Sequence, residues 1–96
     1  MPTDDSSSDE FPITGELDLH IFKPNEVKSL VPEYLRECHQ RGIYSVRIIH
    51  GKGTGVLRGV VHSILEKHPL VLDYRLGGSW GSTVADLDPD KDSSDL

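Results

Sequence analysis

Between Val46 and Leu57 the chain reads V-R-I-I-H-G-K-G-T-G-V-L, and no other stretch constrains the fold as tightly. A β-branched run stops at His50, passes through Gly51, Gly53 and Gly55, and then resumes with helical apolar spacing. That is the pattern of a strand, a loop and a helix. The glycines let the backbone approach an anion and take positive φ, and the first free N–H groups of the following helix point at it, so the layout suits a phosphate. Lys52 and His50 add a charge and a proton to the same loop. Neither nucleotide motif fits, because G-x-x-x-x-G-K-[ST] needs its first glycine at a wider spacing and G-x-G-x-x-G meets Val56 at its last position.

Ninety-six residues make one small domain, and such a chain buries only about 60–65% of its unfolded surface. The single cysteine, Cys38, excludes an internal disulfide and a cysteine zinc site. No apolar run reaches membrane length, and residues 1–15 lack the basic and apolar regions of a signal peptide, so a soluble, cytoplasmic monomer is expected. Charge is unevenly spread. Residues 1–10 hold four acids and no base, and residues 86–96 hold five aspartates against Lys91, a combined −8. The middle carries nine Lys/Arg and seven Asp/Glu, or +2. A mildly basic body between acidic ends is compatible with a phosphate-bearing partner, and the ends read as disordered tails at 1–11 and 88–96 around a domain at 12–87.

Within that domain, Glu16-Leu-Asp-Leu-His20 alternates, with Leu17 and Leu19 on one face and Asp18 and His20 on the other. Lys23-Pro-Asn-Glu26 starts a helix whose apolar stripe is Val27, Leu30, Val31, Tyr34, Leu35 and Cys38, closed by Gly42. Cys38 on that stripe reads as core. Pro32 predicts a kink near Leu30 or a restart. Ile43–Ile49 is a second strand, and Leu57, Val60, Val61, Ile64 and Leu65 mark a second helix ended by Lys67-His68-Pro69. His68 reads as a favourable charge at that helix end. Gly59 inside the helix predicts close packing against a strand or ligand. Leu70–Leu76 is a third strand, Gly77-Gly-Ser-Trp-Gly-Ser82 a turn, and Thr83–Leu87 a fourth strand antiparallel to the third.

The order β-α-β-α-β-β implies a small two-layer α/β sandwich with a mixed four-stranded sheet and two helices, strands one and two being parallel. Ligands in such sheets sit beyond the carboxyl ends of parallel strands, which gathers Asp18 and His20 with His50 and Lys52.

Leu17-Asp-Leu-His20 followed by His50-Gly-Lys-Gly-Thr-Gly55 resembles the two signatures, L-D-L-H-G and H-G-x-G-x-G, of the Smr (small MutS-related) domain, over roughly residues 16–87. Gly-Ser-Trp-Gly-Ser-Thr-Val84 is similar to the family's glycine-rich turn, while Ile21 stands where the first signature has glycine. The chain resembles a stand-alone member. The resemblance implies a sandwich similar to the C-terminal domain of translation initiation factor three, nucleic-acid binding and, in several members, endonuclease activity on DNA or RNA, including messenger RNA at stalled ribosomes. Asp18 and His20 match the pair held responsible for cleavage. His50, Gly51, Lys52, Gly53 and Gly55 match the second motif, assigned to binding and catalysis.

Chemistry supplies the expected roles. On RNA the ribose 2′-hydroxyl is a built-in nucleophile, so two histidines and a lysine suffice without a metal. His20 is then the base oriented by Asp18, His50 the acid, and Lys52 with Gly51, Gly53, Thr54 and Gly55 the phosphate holder. Nicking DNA needs an activated water and a divalent ion, magnesium or manganese, for which Asp18 is the carboxylate. The alternative is a module that grips nucleic acid or the ribosome and cuts nothing, through the same loop, Arg47, Arg58, Arg75 and Trp80 as a stacking surface.

Overall fold

Leu17, Val46, Ile48, Ala85 and Leu87 are all at most 3% exposed, and their neighbours along the chain point to the opposite side of a sheet. The computed structural model describes residues 13–20, 22–51, 55–77 and 81–91. It contains β1 (Glu16–Asp18), α1 (Pro24–Gln40), β2 (Ser45–Ile49), α2 (Val56–Lys67), β3 (Val71–Leu76) and β4 (Ser82–Leu87). The strands lie in the order β1-β2-β4-β3. β1 runs parallel to β2, and β4 is antiparallel to both β2 and β3, so the expected two-layer α/β sandwich is the fold observed. One sheet face packs on Val27, Val31, Tyr34, Leu35 and Cys38 of α1 and Val61 and Leu65 of α2. The other leaves Glu16, Asp18, Ser45 and Arg47 exposed. Among the described residues no helix is long and apolar enough to cross a membrane.

Pro32 does not restart the helix: α1 is one helix from Pro24 to Gln40. The missing bond to the Lys28 carbonyl costs about 3 kcal/mol. Full burial of Val27, Val31 and Leu35, at about 1.5–3 kcal/mol each, outweighs it. The helix starts where Glu26 turns back to accept the Lys23 N–H at 2.9 Å. It ends where Gly42, at φ 77°, swings the chain so that the Ile43 N–H returns to the Cys38 carbonyl at 2.9 Å, which is why β2 starts only at Ser45. Burial pushes the Cys38 thiol up to about 11, as befits a core residue.

His68 is a second correction. It is buried rather than displayed as a charge: its Nε2–H donates to the Pro32 carbonyl at 3.2 Å, and its Nδ1 accepts the Leu70 N–H at 3.2 Å. A ring that gives one hydrogen and accepts another is neutral, and burial holds its pKa below the ordinary value. Gly59 is a third correction as far as strand packing goes, since among the described residues a Cβ there would meet nothing within 4 Å. Asp88 is a fourth. Composition assigned it to the C-terminal tail, yet its N–H donates to the Leu70 carbonyl at 2.8 Å and its own carbonyl receives His39 Nε2–H at 2.8 Å. Residues 1–12 and 92–96, the bulk of both expected tails, lie outside the described residues.

Candidate functional site

The carboxyl ends of β1 and β2 lie side by side. Asp18 is in register with Ile49, and the Leu19 N–H donates to the Ile49 carbonyl at 2.9 Å. The first residues of the glycine loop are held from the other side as well: the His50 and Gly51 N–H groups both donate to the Gly81 carbonyl, at 3.1 and 2.9 Å. The segments after β1, after β2 and before β4 therefore meet at one end of the sheet.

Asp18 and His20 make direct contact there. Asp18 Oδ1 accepts the His20 backbone N–H at 3.0 Å and His20 Nδ1–H at 2.9 Å. Those two bonds hold the Asp18 carboxyl below the usual carboxylate range, the backbone bond contributing most. With Nδ1 committed to the carboxylate, the lone pair of neutral His20 sits on Nε2. The side chains are 74% exposed for His20 and 50% for Asp18, so that nitrogen is open to a ligand.

His50 is placed otherwise. Val46 and Ile48 point into the core, and two residues further on, by the same alternation, so does His50, at 7% exposure. Asp18 follows the opposite phase and belongs to the open face. Both His50 ring nitrogens are engaged inside the protein, Nδ1 with the Gly51 carbonyl at 2.9 Å and Nε2 with Thr83 Oγ1 at 2.8 Å. Thr83, wholly buried, also meets His62 Nε2 at 2.8 Å. The sheet thus brings the two motifs to one end but turns the two histidines toward different layers.

Gly51 and Gly55 take φ of 78° and 86°, left-handed values that bend the loop into α2. Gly55 is the residue before the first turn of α2, with Arg58 lying over it: a Cβ on Gly55 would stand 3.1 Å from the guanidinium. A cavity of about 210 Å³ opens here, lined by Pro24, His50, Gly51, Gly55, Val56, Leu57 and Arg58. Arg47 lies on the open face in register with Glu16, and Arg75 is engaged with Asp86 at 2.8 Å at the far strand. Lys52, Gly53, Thr54 and Trp80, together with Ile21, lie outside the described residues.

Residues 17–88 match the family model of the Smr domain. The chain belongs to the Smr family. This Smr domain is 42% identical over 79 residues to Endonuclease MutS2 of Halothermothrix orenii, a match covering 78% of the chain and 10% of that protein, and 39% identical over 79 residues to Endonuclease MutS2 of Clostridium tetani, with the same coverage. It spans about a tenth of the length of these curated relatives. The crystal structure of the Smr domain of Thermus thermophilus MutS2 superposes with a TM-score of 0.75 at 30% identity, covering 79% of this chain and all of that one. YdaL, a stand-alone small MutS-related protein from Escherichia coli, superposes with a TM-score of 0.73 at 24% identity, covering 84% of this chain and 70% of that one, and shares the fold.

Two residues of this Smr domain that sequence reasoning left without a role, His62 and Thr83, form a bonded polar group with His50. The signal for Thr83 was present: it shares the inward phase of β4 with Ala85 and Leu87, and a buried hydroxyl requires a partner. Among the described residues no group of three or more His, Cys, Asp or Glu is placed to hold a metal ion.

Proposed function

We propose that this Smr domain binds nucleic acid across the loop end of its sheet and cleaves RNA there, with Asp18 and His20 as the reacting pair. The observation that carries the reading is the direct Asp18–His20 contact, which leaves an exposed Nε2 lone pair backed by an ionised carboxylate. His20 Nε2 takes the proton of a ribose 2′-hydroxyl as that oxygen attacks phosphorus, and Asp18 stabilises the imidazolium that forms. The bond to the 5′ oxygen breaks, and that oxygen takes a proton from water at the open rim. The N-terminus of α2, Arg58 and the glycine loop bear the phosphate charge. His50, chosen from the sequence as the acid, is given a different part because both of its nitrogens are occupied: it anchors the loop from within. The names of the MutS2 relatives support endonuclease chemistry, and the lone buried Cys38 suits a reducing cytoplasm.

The inward turn of His50 also favours a second reading, a module that grips nucleic acid without cutting it. One experiment separates the two: an end-labelled single-stranded RNA and its all-deoxy counterpart are incubated with the protein in EDTA or in magnesium, beside Asp18→Ala and His20→Ala. Cleavage of RNA alone, in EDTA and lost in both variants, is the expected result. Cutting of both strands only with magnesium overturns the metal-free mechanism. Binding of both strands with no cutting leaves the binding module.

A further inference from the structure

Thr83 carries one hydroxyl hydrogen between two histidine nitrogens, each 2.8 Å away. We propose that His62, acting through Thr83, is a positioning residue of the candidate site: it fixes the tautomer of His50 and so holds the Gly51 carbonyl at the start of the glycine loop. The directions follow from which atoms have hydrogens to give. The Gly51 carbonyl only accepts, so His50 Nδ1 bears the hydrogen. A neutral His50 then has a bare Nε2, and the only hydrogen on Thr83 Oγ1 must point to it. Oγ1 has lone pairs to offer His62, so His62 Nε2 bears the hydrogen and donates. The chain of donations runs His62 to Thr83 to His50 to the Gly51 carbonyl.

His62 is the end that sets this direction. Without its N–H, the Thr83 hydroxyl loses the donor that orients it, and His50 is free to become the Nε2–H form, donating to Thr83 and abandoning Gly51. The ring of His62 is held against Tyr74, centroids 4.9 Å apart, and the Tyr74 hydroxyl donates to Glu66 Oε2 at 3.0 Å. Arg58 and Glu66 on α2, Tyr74 on β3 and His50 beyond β2 all face it. Burial first, then His50 and Arg58, lower its pKa against the pull of Glu66, which favours the neutral, single-donor form used here.

The tautomers are read directly from long-range proton–nitrogen correlation spectra of the nitrogen-labelled protein above the histidine titration range. His50 is expected as Nδ1–H and His62 as Nε2–H. His62→Gln keeps an N–H at the end of the side chain and preserves the His50 pattern, whereas His62→Phe keeps the ring against Tyr74, offers no N–H, and abolishes it. The same samples are titrated with a fluorescein-labelled single-stranded RNA. His62→Phe is expected to weaken binding about tenfold, roughly the worth of one hydrogen bond, and His62→Gln to restore it. That binding consequence rests on the function proposed above, and the tautomers do not. An Nε2–H His50 in the wild type, or an unchanged His50 in a folded His62→Phe variant, overturns the proposal. If His62→Phe fails to fold, the wild-type and His62→Gln spectra still decide, since an Nε2–H His50 in either is a refutation. The expected tautomers in a protein that binds no RNA support the chain and overturn only the nucleic-acid reading.

Discussion

Replacing Asp18 by asparagine and by alanine separates the charge of Asp18 from its geometry. Both of its contacts end on one atom: Oδ1 accepts the His20 backbone N–H and His20 Nδ1–H. In Asp18→Asn the backbone donor requires the amide oxygen, not the NH2, at that position, so His20 keeps its Nδ1–H tautomer and its outward Nε2. Only the charge is lost. The pair is at least half exposed, and exposed ion pairs are worth about 0.2–1 kcal/mol, so the rate of RNA cleavage should fall by no more than about fivefold. Asp18→Ala removes the acceptor itself and frees the ring to rotate and change tautomer, and the loss should reach about a hundredfold or more, the scale of a misplaced general base. Initial rates with excess end-labelled RNA, with binding followed separately by anisotropy, provide the comparison. Equal loss in the two variants would show that charge, not orientation, is what Asp18 supplies. An active Asp18→Ala would remove the pair from the mechanism altogether.

Three further changes test the scaffold. His68 has a folded pKa below its unfolded value of 6.5, so its contribution to stability is complete above that value and is lost as pH falls through the lowered folded pKa; urea unfolding across this range should show it, and His68→Leu should flatten the dependence while costing about 1–3 kcal/mol for the stranded Leu70 N–H. Gly55→Ala forces a side chain into left-handed backbone against Arg58, at a cost of about 1–2 kcal/mol, and should lower both the thermal midpoint and RNA affinity. Pro32→Ala restores a hydrogen bond within α1, which is continuous through this position, and should stabilise the protein by about 2 kcal/mol in denaturant titrations, less the entropy proline withholds from the unfolded chain.

Much of the fold was legible because it is written in local periodicity. Alternation at Leu17 and Leu19, the helical stripes of α1 and α2, and the glycines between Ile49 and Val56 define the elements and their order to within a few residues. The Smr signatures were readable for the same reason, being short and contiguous. Even the inward turn of His50 was encoded, since it continues the phase of Val46 and Ile48. The motif made it look like a partner for His20, and the phase of the strand was the better guide.

The sequence by itself determined the strands, the helices, the parallel β1–β2 pair and the membership of Asp18 and His20 in one outward face, because each depends on neighbours a few residues away. Only the tertiary structure decided that β4 lies between β2 and β3, with Thr83 thereby set between His50 and His62. Those three residues are separated by 33 and 21 positions in the chain, and no local pattern records a hydrogen bond over such a span. It exists because burying a hydroxyl and two imidazoles costs too much unless each finds a partner, a demand met only when the whole sheet and α2 have closed around them.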